Sequence, residues 1–442
     1  MGGWGMSSEW VKMRLGDFID LKRGYDLPKK SRSAGPIPLV SSAGVSDQHS
    51  EAKVRGPGVV TGRYGTIGDV FYIEEDFWPL NTTLYVRDFK GNDPRFTYYF
   101  LKTIDYLQYS DKAAVPGVNR NHLHMAEISV PKSVDEQRRI ASVLSCLDDK
   151  IEANDTINQT LEQMAQAIFK SWFVDFEPVK AKIAALEAGG SEEDALLAAM
   201  QAISGKSEAE LTRLQAEHPE QYAELRATAE LFPSAMQDSE LGEIPEGWGV
   251  DHLSELVQFN PRRSLKKGTL APYLDMKNVP TSGHLAEDVV LREMNSGTKF
   301  VNGDTLLARI TPCLENGKTA YVDFLDSDQV GWGSTEYIVM RSQEPYPESM
   351  SYFIARDGNF RQHAIQSMTG TSGRQRANAK ALAELPWLIY PRRLTEEFDR
   401  IAAPYLKLAK SHGNQSKSLS AIRDSLLPKL LSGELDTTKV GA

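Results

Sequence analysis

Residues 136–173 read EQRRIASVLSCLDDKIEANDTINQTLEQMAQAIFKSWF, and the spacing of the apolar positions in this stretch decides how the rest of the chain is organised. Ile140, Leu147, Asn154, Leu161 and Ile168 lie seven apart, and Leu144, Ile151, Asn158 and Ala165 form a second row four residues on. These are the a and d rows of a coiled-coil helix. A second pair of rows, Ile401, Leu408, Gln415, Ile422 and Tyr405, His412, Leu419, Leu426, keeps the same frame 261 residues later. Taken as 136–173 and 395–431, each helix is about 55 Å long at ~1.5 Å per residue. That is about one and a half turns of duplex DNA at ~34 Å per turn. The repeat predicts two helices that pair antiparallel and hold two globular lobes at a fixed distance. Asn154, Asn158 and Gln415 are expected to set its register, because an amide in a seam weakens packing but penalises slipped pairings. His412 reads as a partly exposed packing residue rather than a ligand.

Working outward from the helices, the lobes are also written twice. Trp10 and Leu15 match Trp248 and Leu253, and Ile37, Pro38 and Leu39 match Ala271, Pro272 and Tyr273. GVVTGRYG from Gly58 stands where GDTLLARI from Gly303 stands, and NTTLYV and STEYIVM follow as β-branched and aromatic strand patterns. Tyr99 and Phe100 answer to Tyr352 and Phe353. Each half then runs through a basic, Gly-containing loop, an apolar strand and a proline, Pro131 or Pro391, into its long helix. The expected class is α+β, with mostly β lobes at 1–132 and 247–391, helical regions at 133–177 and 392–442, and an insert at 178–246. Pro404 is expected to shorten or bend the second helix.

The 442 residues carry a net charge of −10, which by itself argues against phosphate binding. Its distribution reverses that. Pro178 to Glu246 holds five Lys or Arg against fourteen Asp or Glu, a net −9, so the remainder is near neutral at −1. The insert has helical composition and reads as a pair of helices, closed by the Pro/Gly boundary GEIPEGW before Trp248. No run reaches the ~20 apolar residues a spanning helix needs, and MGGWGMSSEW lacks the basic and apolar regions of a signal peptide, so a cytoplasmic chain is expected. The two cysteines, Cys146 and Cys313, have neither metal-ligand spacing nor a disulfide framework and are expected to be buried thiols.

No catalytic constellation emerges. The chain has no GxxxxGK[ST] phosphate loop, no HExxH, and no Asn or Asp followed by Pro-Pro and an aromatic residue. Gly62, Gly65 and Gly68 lack the dinucleotide spacing and read as a tight loop between strands. Basic residues mixed with Tyr and Gly do recur in both lobes, and Arg and Lys suit backbone phosphates and base edges. In the first lobe they are Lys22, Arg23, Lys29, Lys30 and Arg32, then Arg63, Tyr64 and Thr66, then Arg120 and His122 within the loop from Val115. In the second they are Arg262, Arg263, Lys266 and Lys267, then Arg309, then Arg374, Arg376 and Lys380 within the loop from Thr371. If Arg376 reads a guanine, its removal affects one base position; if it holds a phosphate, it weakens all sequences alike.

The helix 136–173, preceded by ISVPKSVD, the entry DSELGEIPEGW and the closing LLPKLLSGEL resemble the DNA-specificity (S) subunit of type I restriction-modification systems over nearly the whole chain. The resemblance implies a non-catalytic subunit with two target recognition domains, each reading one half of a bipartite duplex DNA site, and helices that set the unread spacer. It implies two methylation subunits carrying S-adenosylmethionine on the helical regions, and restriction subunits with ATP and Mg²⁺, with no cofactor or metal in this chain and no membrane partner. Glu396 and Glu397 stand where that family has Glu-Gln. A protein-protein scaffold that does not read DNA, and a self-sufficient methyltransferase, are the readings from other classes.

Overall fold

The computed structural model describes residues 9–110, 117–371, 373–435 and 437. The chain divides into two compact units, 1–153 with 415–442, and 154–414, so each long helix contributes a segment to both.

In the first unit an antiparallel four-stranded sheet has the order Asp20–Arg23, Thr83–Asp88, Gly58–Gly62, Val70–Ile73. GVVTG is buried at all five positions, which is why this strand has no polar alternation. A second sheet joins Gly44–His49, Ile37–Ser41 and Trp78–Pro79, the last two in parallel through Leu39 and Trp78. Trp10–Arg14 pairs antiparallel with Glu127–Pro131. The core gathers Leu15, Phe18, Val59, Leu84, Phe96 and Tyr99 against Ile140 and Leu144 of the first long helix and Leu430 and Leu431 of the second.

The second unit repeats this plan. Its main sheet has the order Val257–Phe259, Tyr337–Ser342, Asp304–Ala308, Thr319–Tyr321. Its second sheet again contains one parallel pair, through Tyr273 and Trp332, and Gly249–His252 pairs with Pro386–Ile389. The duplicated landmarks behave alike. Leu15 and Leu253 are fully buried, and their amides donate to the carbonyls of Ala126 and Leu385 at 2.9 Å. Gly65 and Gly68 do lie in a loop between paired strands, both at positive φ, while Gly62 ends the strand that enters it.

The long helices are Val134–Phe173 and Arg392–Ser432. They run antiparallel where they meet: within the second unit Asn154 Nδ2 donates to the His412 carbonyl at 3.4 Å, and Asn158 Nδ2 donates to the Ala409 carbonyl at 3.2 Å. The Asn158 Oδ1 also meets His412 Nδ1 at 3.2 Å. Within the first unit Arg423 reaches Asp148 at 2.7 Å.

Several expectations are corrected here. The second helix is not shortened at Pro404, which lies on an exposed face where the carbonyl it leaves unbonded can meet water. Asn154 is fully buried, but Gln415 is exposed, as are Leu408 and Ile422 at 44% and 47%. The inward positions run one residue later, through Ala402, Ala409, Ser416, Arg423 and Leu430 and through Leu406, Gly413, Ser420 and Leu427. Small side chains carry little hydrophobic signal yet let helix backbones approach, so the bulkier neighbours mislead the pattern. At Gly413 a Cβ would sit 2.7 Å from Leu285 Cδ1.

The acidic insert is four helices rather than a pair: Glu177–Glu187, Glu192–Ser204, Glu208–Glu217 and Pro219–Glu230, followed by the hairpin Met236–Ser239 and Gly242–Pro245. Ser191 with Asp194 and Ser207 with Glu210 form capping boxes, and Gly205 closes the helix between them at positive φ. Cys146 is exposed, because it falls on the outer face of the first long helix, and Cys313 is half-buried.

Candidate nucleic-acid interface

In each lobe, the turn that follows the central strand of the main sheet is held from two sides. In the first, the Arg63 amide donates to the Thr82 carbonyl at 2.9 Å, and the Arg63 carbonyl accepts from Val118 N at 3.0 Å. In the second, the Arg309 amide donates to the Glu336 carbonyl at 2.9 Å, and the Arg309 carbonyl accepts from Ala377 N at 2.8 Å. The residue after each outer partner, Asn119 or Asn378, caps a short helix by accepting from the two amides ahead of it. Sequence reasoning missed these two asparagines. An Asn four residues ahead of a single leucine, Leu123 or Leu382, is the signal that would have found them.

The first lobe brings its three predicted clusters together. Tyr64 also donates its amide to Thr82, and its ring packs so closely on Gly117 that a Cβ there would lie 2.1 Å away. The Arg63 guanidinium lies over the Tyr64 ring, 4.6 Å from its centre. Thr82 and Asn81 share a cavity of about 570 Å³ with Lys29, Arg32, Ser42 and Asp47. Arg32 is bonded to Asp47 at 2.7 Å, which holds that carboxyl below its ordinary range, and Arg23 meets Asp26 at 3.2 Å. Lys22 is half-buried, 5.3 Å from the centre of the Tyr25 ring. Lys29, Lys30, Thr66, Arg120 and His122 are exposed. Val115 lies outside the described residues. Asn81 and Asp26 were missed because they are not basic, although polar side chains at a cavity mouth suit base edges as well as Arg does.

The second lobe ties two of the predicted cations to carboxylates. Arg263 is an internal ion-pair residue. With Arg341 it holds Asp304, which is fully buried and bonded to the two guanidinium groups at 2.9 and 3.0 Å. Arg376 lies against both carboxylate oxygens of Glu336, and this bonding holds the Glu336 carboxyl below its ordinary range. Both arginines thus donate to carboxylates of their own lobe, which a basic cluster in sequence does not reveal. Arg262, Lys266, Lys267, Arg374 and Lys380 are exposed, and Arg309 is half-buried. Within the loop from Thr371, Ser372 lies outside the described residues.

Among the described residues no cluster of three or more His, Cys, Asp or Glu could hold a metal ion, and no helix is long and apolar enough to cross a membrane. Exposed cations on paired loops at matching places in two β lobes are the surface expected of a class of protein that meets a polyanion through repeated modules.

Comparison with known proteins narrows that class. The family model described as the type I restriction modification DNA specificity domain matches residues 7–163. The type I restriction enzyme HindI specificity subunit of Haemophilus influenzae is 30% identical over 363 residues, covering 77% of this chain and 77% of that protein. The EcoAI specificity subunit of Escherichia coli is 28% identical over 153 residues, 33% of this chain and 25% of that one. The crystal structure of a type I restriction-modification S subunit from M. genitalium shares the fold with a TM-score of 0.52 and 16% identity, over 97% of each chain. The chain belongs to the specificity subunits of type I restriction enzymes, a family whose part is DNA recognition rather than catalysis.

Proposed function

We propose that the chain reads a bipartite duplex DNA target, with the recognition domain 1–132 on one half-site and the domain 247–391 on the other, across a gap it does not read. The observation that carries this reading is the duplicated bracket around Arg63 and Arg309, which offers each half-site the same framework with different surrounding side chains. The helical regions 133–177 and 392–442 dock two methylation subunits, and restriction subunits complete the complex. S-adenosylmethionine, ATP and Mg²⁺ belong to those partners, and the complex acts in the cytoplasm.

The test is a selection on random duplexes, using this full chain co-expressed with its methylation subunit and sequencing the bound pool at two salt concentrations. Two short motifs at one fixed spacing are expected. A flat pool from a complex that still co-elutes would favour a scaffold that does not read DNA.

A further inference from the structure

Laid start to start, GVVTGRYG and GDTLLARI put Arg63 and Arg309 one position apart. Strand pairing removes that offset. Gly62 pairs with Thr83, and Ala308 pairs with Tyr337, so the residue after each strand is an arginine whose amide reaches the residue before the partner strand. The same register makes Tyr64 equivalent to Ile310, Asn81 to Thr335, and Thr82 to Glu336. One position is therefore constant between the lobes, and its immediate neighbours all differ.

We infer that Arg63 and Arg309 are equivalent, sequence-independent phosphate anchors, one for each half-site, and that discrimination between bases falls to the neighbours that differ, Asn81 foremost in the first lobe. The inference rests on the bipartite reading above and assigns roles within it. Two half-sites of different sequence have one thing in common, the sugar-phosphate backbone, whereas their base edges differ. A residue that two lobes keep in one backbone geometry suits the common feature, and residues they change suit the variable one.

The surroundings of the two arginines support the same division. Arg263 and Arg376 are neutralised by Asp304 and Glu336, while among the described residues neither Arg63 nor Arg309 has a carboxylate at ion-pair distance. Arg309 is half-buried, and its Nε has no hydrogen-bond partner among the described residues, so no internal acceptor holds that atom. The Arg63 guanidinium is placed by the Tyr64 ring, a contact that uses the charge but none of its N–H donors. Asn81 sits at the mouth of the first-lobe cavity with its Nδ2 donating to Asp26, and its Oδ1 can accept from the N6 amino group of an adenine.

The experiment uses the full chain co-expressed with its methylation subunit, the duplex recovered by selection, and a scrambled duplex of equal length. Arg63→Ala and Arg309→Ala should each weaken both duplexes alike, by about tenfold at ~0.1 M salt, and reduce the slope of log K against log salt by about one. Repeating the selection with either variant should return the wild-type motif. Arg63→Lys and Arg309→Lys should restore most of the affinity, since a point charge suffices for a phosphate, and they keep the test valid if an alanine variant fails to fold. Asn81→Ala should relax one position of one half-site and leave the other intact. A motif altered by either arginine variant, or an unaltered motif with Asn81→Ala, overturns the assignment while leaving bipartite reading standing. Wild-type protein that shows neither a motif nor salt-dependent binding overturns both.

Discussion

The guanidinium of Arg376 meets both carboxylate oxygens of Glu336, at 2.6 to 3.0 Å, and so closes the loop around Thr369 to Ala377 onto the start of a main-sheet strand. Glu336 also gives its backbone carbonyl to Arg309, so one residue ties the Arg376 loop to the proposed anchor.

Arg376→Ala should therefore loosen a loop rather than erase one base preference. Hydrogen exchange at the amides of Thr311 and Ala377 should quicken, Glu336→Gln should have a similar effect, and the double variant should be little worse than either single one. The folded-state carboxyl of Glu336 is depressed, so its contribution is present above the unfolded value near 4.5 and fades as pH falls through the folded value. Wild-type protection at these amides should decline on acidification below that range, and Arg376→Ala should lack this dependence. A selected motif that loses one base pair in Arg376→Ala, with exchange unchanged, would restore the base-reading role.

Between the long helices, Asn158→Ala removes a donor to the Ala409 carbonyl and an acceptor facing His412. A loss of about 1 kcal/mol is expected, read as a lower urea midpoint at unchanged m-value. An unchanged midpoint would remove Asn158 from the helix contact.

Two glycines of the second long helix region should respond oppositely. Gly413 is helical, and the atom its new Cβ would meet is the mobile end of Leu285, so the gain of about 1 kcal/mol in helix propensity competes with a small side-chain shift. Gly413→Ala should be neutral or stabilising. Gly433 has φ +75°, and a Cβ there would lie 2.6 Å from the rigid Trp10 ring. Gly433→Ala should cost at least the ~1–2 kcal/mol of a left-handed alanine, with a lowered melting temperature as the readout.

Burial pushes several tyrosines well above their ordinary value, among them Tyr99, which donates to Asp148 at 2.7 Å, and Tyr352, which donates to Glu162. A folded-state value above the unfolded 10.0 means that the stability tied to the neutral phenol is complete below pH 10 and is lost as pH rises beyond it. The urea midpoint should fall between pH 9 and pH 11, and absorbance at ~295 nm should show these phenols ionising only on unfolding. Tyr99→Phe should lower the neutral-pH midpoint by about 1 kcal/mol through the lost hydrogen bond, and should weaken the alkaline fall.

How much was legible follows from the range of each signal. A hydrophobic period of seven and runs of β-branched and aromatic residues are both local, so the two long helices and the doubled β lobes could be read from Ile140 to Ala165 and from GVVTG and TLYV. The capping boxes at Ser191 and Ser207 were equally local, and reading them would have divided the acidic insert into its helices. The helix seam was only half legible. Asn154 is buried as its heptad position demands, but the inward row of the second helix runs through Ala409 and Gly413, whose small size speaks only once Asn158 and Leu285 lie against them.

The amino-acid sequence by itself determined the duplication, the class of fold and the family, because these reside in spacing and in residue types that neighbours along the chain define. Tertiary structure alone decided which arginines are tied to carboxylates. Arg263 and Arg376 are as basic in sequence as Arg63 and Arg309, yet Asp304, 41 residues from Arg263, and Glu336, 40 residues from Arg376, pair with the first two through space. An ion pair depends on a distance of a few ångströms between side chains, and only the folded backbone sets that distance.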